Sequence, residues 1–302
     1  MANVWDAIQK HQAEQGKPPS PPQPANVESP SPSSSLTDAQ EAAAIPQVAA
    51  ATQATPAQGI RSLPKLEPAP TPAPQPIHVA SNGYASDLVP HHDRGSAITE
   101  QYRALRTNML ARCPDERFCA VVTSAEAGEG KTVTCLNLGL VLAELQDRLT
   151  IIVDGDLRRS KVASLFNAPN ERGLVDVLRG TAKISEVIHA TAYPNLFFVP
   201  AGKVQSMEVG ELIGRSDLGF VNELRRKYDY VLIDTPPINL ASDAGILGRT
   251  AGEALVVLRM NKTHRDSADR AMTLLHAANV KLSGMILTHQ KYHIPNYLYR
   301  YS

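Results

Sequence analysis

The chain has 302 residues, with 30 basic and 30 acidic side chains. That balance creates no whole-chain field for nucleic acid or an anionic membrane, so no nucleic-acid partner is expected. No apolar run approaches the roughly 18 residues that cross a bilayer, residues 1–6 lack the basic and apolar regions of a secretory leader, and three cysteines (Cys113, Cys119, Cys135) without disulfide or metal spacing fit a reducing, cytoplasmic setting.

Residues 1–16 place Val4, Trp5 and Ile8 on one side of a short helix, which reads equally as a docking segment on a tether or as a frayed end. Sixteen of the 23 prolines then fall before residue 91, with few large apolar residues among them. Such a stretch cannot bury enough surface to offset its ordering entropy, so residues 17–88 are predicted as a disordered linker with polyproline II character. A domain over 89–288 follows. Ile98, Tyr102, Leu105 and Met109 recur at helical spacing and predict an amphipathic helix over 97–112. Apolar, β-branched runs at 118–123, 149–153, 196–199, 230–233, 254–258 and 285–287 read as strands. Helix-length segments separate them, one carrying Ala268, Ala271, Met272 and Leu275. The alternation predicts an α/β fold, a mostly parallel sheet with helices on both faces, which the phosphate loop described next makes P-loop NTPase-like.

Residues 121–123 run directly into Ser124-Ala-Glu-Ala-Gly-Glu-Gly-Lys-Thr132 and a helix through Leu136 and Leu140. This is a phosphate loop in the context it requires. Residues Ala127, Gly128, Glu129, Gly130, Lys131, Thr132 and Val133 are the expected ATP-binding set. The glycines let backbone N–H groups converge on phosphate oxygens, and the helix N-terminus adds partial positive charge. Lys131 is expected to reach the outer phosphates, and the Thr132 hydroxyl to ligate Mg²⁺. A second strand ends in Asp154-Gly-Asp156-Leu-Arg158, and a third in Asp234. In a parallel sheet these carboxylates gather at the crevice where ligands bind. Asp156 and Asp234 are expected with Thr132 around the metal. Either Asp154 or Asp156 would accept a proton, and Arg158 would neutralise transferring phosphate or pair with one of these aspartates. Finally, Tyr292, Tyr297, Tyr299 and Tyr301 crowd the last eleven residues, 289–302 forming a tail. About ten residues span ~30 Å when extended, enough to reach an active site.

Together these motifs resemble the bacterial tyrosine kinases, the P-loop autokinases of capsule and exopolysaccharide assembly. Glu100-Gln-Tyr-Arg103-Ala-Leu-Arg106 is similar to the helix through which that family's subunits assemble into rings, and Glu126 stands where related partitioning ATPases carry a second lysine. The resemblance implies ATP and Mg²⁺ as cofactors, autophosphorylation of the four tail tyrosines, and a homo-oligomer built on Glu100, Arg103 and Arg106. It also implies a separate membrane regulator of polysaccharide chain length as activator, which would hold the chain at the inner face of the membrane. The rivals are a nucleotide-switched ATPase of the partitioning type and a non-phosphorylating regulatory subunit.

Overall fold

The computed structural model describes residues 77–78, 83–112, 117–215 and 218–290. The 1–16 segment, most of the linker and all four tail tyrosines lie outside the described residues.

Strands β1 (Ile77–His78), β2 (Phe118–Ser124), β3 (Thr150–Asp154), β4 (His189–Ala190), β5 (Leu196–Val199), β6 (Tyr230–Asp234), β7 (Glu253–Arg259) and β8 (Lys281–Thr288) form one sheet in the order β1-β4-β5-β3-β6-β2-β7-β8. Every neighbouring pair is parallel except β4 with β5. The six predicted strands are all present. The two-residue strands β1 and β4 had no legible pattern, being too short for any period.

Alternation along the strands sorts the core onto two faces. Val121, Val153, Ile233 and Val256 point into one apolar cluster, and Val122, Ile152, Leu232 and Val257 into the other. The helices are α1 (Val89–His92), α2 (Ala97–Leu110), α3 (Lys131–Leu142), α4 (Val162–Leu165), α5 (Leu174–Leu178), α6 (Val209–Arg215), α7 (Gly219–Lys227), α8 (Asp243–Ala251) and α9 (Arg265–Ala277). Ile213, Leu224, Leu247 and Leu275 from α6 to α9 cover the first face. Leu136, Leu140 and Val141 of α3, with Met109 of α2, cover the second. No described helix is long and apolar enough to cross a membrane.

Two expectations are corrected. The linker was predicted to run to residue 88, but Tyr84 is 4% exposed and Leu88 fully buried. The Tyr84 hydroxyl accepts from the Ala192 amide, and the Ala85 amide donates to Leu165. Two anchoring side chains suffice to order a segment whose average composition reads as linker. The apolar stripe of α2 also begins differently: Ile98 is half exposed, whereas Thr99 is buried. Ser96 caps the helix through the Thr99 amide, and the Thr99 hydroxyl donates to the Asp93 carbonyl, which turns Thr99 inward.

Candidate nucleotide and phosphoryl-transfer site

Strands β3, β6 and β2 lie side by side and end at one rim of the sheet, so three sequence motifs become neighbours. β2 delivers the phosphate loop, and Asp154 of β3 pairs in register with Asp234 of β6. The residue between the two acids of the β3 motif matters for this. The Gly155 amide donates to the Asp234 carbonyl at 2.7 Å, and a Cβ at 155 would lie 2.8 Å from that oxygen. Only glycine permits this approach.

In the loop, Gly128 and Gly130 hold φ of +80° and +90°, conformations that side chains rarely adopt. Ala127 and Gly128 are exposed, and Gly130 caps α3, whose first residues are Lys131, Thr132 and Val133. The Lys131 ammonium donates to Asp156 Oδ2 at 2.8 Å and lies 3.5 Å from Asp234 Oδ1. The Thr132 hydroxyl donates to Asp234 Oδ2 at 2.8 Å. Lys131, Thr132, Asp154, Asp156 and Asp234 therefore form one cluster, as the motifs predict.

Its charge is unbalanced, three carboxylates facing one ammonium. Burial lifts the Asp234 carboxyl to a pKa of about 6, with Lys131 and the Thr132 hydroxyl opposing the rise. Asp154 is pushed well above the ordinary carboxylate range, first by burial and then by the Asp234 charge. Burial by itself would lower Lys131, but Asp234 and Asp156 hold it above its ordinary value. Asp154 Oδ2 accepts the Lys161 and Val162 amides, while its Oδ1 is buried with no partner among the described residues. Excess negative charge, an unpartnered buried oxygen and hard oxygen donors fit a Mg²⁺ ion. Among the described residues no three His, Cys, Asp or Glu side chains form an all-protein metal cage. Mg²⁺ held by a hydroxyl, a carboxylate and substrate phosphates needs no such cage.

Arg158 departs from expectation. It is not brought to the cluster but pairs with Asp243, at 2.9 Å from Nε and 3.4 Å from Nη2, and donates to the Ser206 carbonyl. Asp243 is fully buried at the start of α8, so its desolvated charge commands the guanidinium. Only an acid in the first turn of a helix signalled it, 85 residues away in sequence. Glu129, expected within the ATP-binding set, is 2% exposed, and its side chain is bonded on both oxygens.

Glu100, Arg103 and Arg106 form a clasp within the chain. Arg103 pairs with Glu100 and Glu144, while Arg106 pairs with Glu144 and donates to the Val141 carbonyl. Hydrogen bonds from Arg103 hold the Glu144 carboxyl below its ordinary range. The clasp fastens α2 to the end of α3 and is partly exposed, so salt screens it. Glu144→Ala is expected to lower the thermal midpoint slightly at low salt and negligibly at 1 M salt, a difference that calorimetry in two buffers reads.

A family model of the AAA domain matches residues 119–264. The chain is 32% identical over 197 residues to tyrosine-protein kinase YwqD of Bacillus subtilis, covering 65% of this chain and 83% of YwqD. It is 30% identical over 203 residues to tyrosine-protein kinase CpsD of Streptococcus agalactiae serotype III, covering 67% and 87%. Among solved structures, the kinase domain of Escherichia coli tyrosine kinase ETK superposes with a TM-score of 0.64 at 28% identity, covering 68% of this chain and 82% of that one.

Proposed function

The chain belongs to the bacterial tyrosine-kinase family, and on that premise we propose that it is an ATP-dependent autokinase whose substrates are Tyr292, Tyr297, Tyr299 and Tyr301. One observation carries the reading. β8 runs parallel to β7, so the chain leaves the sheet at the rim that holds the phosphate loop, and Thr288, the last residue of β8, donates to the Glu129 carbonyl of that loop. The tyrosines begin four residues later.

When bound, Mg²⁺ supplies positive charge that offsets the phosphate oxygens. The protein's own groups do the rest. Loop amides and the α3 N-terminus seat the triphosphate. Lys131 exchanges its carboxylate partners for phosphate oxygens and stabilises charge that grows during transfer. Thr132 and Asp234, with Asp156, would hold the metal. Asp154 is the proton acceptor, because its Oδ1 has no hydrogen-bond partner among the described residues. As the tyrosine oxygen loses its proton to Asp154, it bonds to the γ-phosphorus, and the bond from that phosphorus to the bridging oxygen breaks to release ADP.

Each phosphate adds roughly −1.5 to −2 charge, so a modified tail repels its neighbours and loosens a homo-oligomer, a ring in the resemblance. In the same reading a separate membrane polypeptide activates the chain at the inner face of the membrane and ties it to exopolysaccharide or capsule synthesis. The test is incubation of the full chain with ATP and Mg²⁺, with and without that activator, followed by phosphotyrosine detection. Replacing all four tail tyrosines by phenylalanine is expected to remove the signal. A signal that survives the replacement overturns the tail as substrate, and hydrolysis without any phosphotyrosine returns the chain to a nucleotide-switched ATPase.

A further inference from the structure

Glu129 sits between the two positive-φ glycines of the phosphate loop, where its side chain turns away from the open face and is almost wholly buried. Both carboxylate oxygens and the backbone carbonyl are used. Oε2 accepts the Glu126 amide at 2.8 Å, closing the loop on itself. Oε1 accepts the Thr263 hydroxyl, and Thr263 in turn accepts the Arg259 amide at the end of β7. The Glu129 carbonyl accepts the Thr288 hydroxyl at 2.8 Å, at the end of β8. The Thr288 carbonyl accepts the Met260 amide, which joins the two strand ends to each other. One loop residue is thus bonded to its own loop and, through two threonine hydroxyls, to the chain at the ends of β7 and β8.

We propose that Glu129 is a positioning residue: with Thr263 and Thr288 it fastens the phosphate loop to the ends of β7 and β8, fixing the point from which the tyrosine-bearing tail departs relative to the seat of the γ-phosphate. This rests on the kinase reading above for its second half only; the bracing of the loop is independent of what the nucleotide is used for. The two halves predict different losses. Without the carboxylate, the loop loses its internal bond and its tie to β7, so nucleotide binding suffers. Without the Thr288 hydroxyl, the loop keeps its shape and only the tie to the tail's origin goes.

The experiment uses the full chain. Titration with a fluorescent ATP analogue and Mg²⁺ is expected to show affinity about tenfold weaker for Glu129→Ala. Glu129→Gln is expected within about threefold of the parent, since its carbonyl can accept the Glu126 amide while its amide donates to Thr263. A Gln variant no better than Ala, or an Ala variant that binds like the parent, overturns the brace. Thr288→Val is expected to bind the analogue normally, within about twofold, yet to phosphorylate its own tail at least about fivefold more slowly. In the four-phenylalanine background, the same substitution is expected to leave phosphorylation of a free peptide of residues 289–302 unchanged. Equal losses on tail and peptide, or no loss on the tail, overturn the positioning of the tail. If the parent chain makes no phosphotyrosine at all, the kinase reading falls and takes the tail half with it, while the nucleotide titration still decides the brace.

Discussion

Replacing Lys131 by methionine is expected to reduce phosphotyrosine formation by at least about 10³-fold, the scale of losing a preorganised charge opposite developing negative charge. The same change is expected to weaken the nucleotide-free fold. Lys131, Asp156 and Asp234 have side-chain exposures of only 12%, 5% and 1%, so solvent does little to screen the carboxylates that the ammonium leaves behind. Breaking a buried pair by removing one partner costs about 3–5 kcal/mol. This loss depends on pH. The ammonium's contribution is fully present below the ordinary lysine pKa, because the folded value lies above it. It shrinks as pH falls through about 6, where Asp234 takes up a proton and one of the charges it offsets disappears. Denaturant unfolding at pH 5 and pH 8 checks this: the gap between parent and variant should be clearly larger at pH 8. An equal gap at both would mean that the carboxylates do not press on one another.

Asp234→Asn is expected to move stability and activity in opposite directions. The Asp234 carboxyl rises from 3.8 to about 6 on folding. Between those values the folded state binds more protons than the unfolded one, so stability falls as pH rises and the full penalty, roughly 3 kcal/mol, applies above about pH 6. Asparagine keeps an acceptor for the Thr132 hydroxyl and has no charge to desolvate. The variant should therefore unfold at higher temperature than the parent at pH 8, and the two should converge near pH 4. Activity should fall by about 100-fold or more, because the carboxylate proposed to hold Mg²⁺ is lost from the rim. A midpoint at or below that of the parent at pH 8 would contradict the charge imbalance assigned to this site. Opposite shifts of this kind are the expected mark of a site whose crowded carboxylates cost stability and serve binding.

What was legible in the sequence follows from the physics of each element. β3 and β6 are buried at every residue, and unbroken apolar runs ending in an acid could be read directly. The phosphate loop was equally plain, since its glycines, lysine and threonine are dictated by backbone geometry and charge at fixed spacing. The rest depended on partners remote in sequence. Tyr84 and Leu88 were hidden because composition averages over a window, whereas ordering needs only two good contacts. Arg158 was expected to neutralise transferring phosphate or to pair with Asp154 or Asp156, the acids next to it in sequence, whereas it pairs with the buried Asp243, 85 residues further on. Glu129 was expected only as a member of the ATP-binding loop. Its burial depends on Thr263 and Thr288, 134 and 159 residues further on, and no local pattern encodes that.

Gly155 carries no functional group, yet a Cβ there would come within 2.8 Å of the Asp234 backbone oxygen, and the strand ends that present the acids would have to shift. The separation of the carboxylates is thus tuned by the one residue of the motif that has no chemistry of its own, and a side chain at 155 would alter that separation without altering any charge.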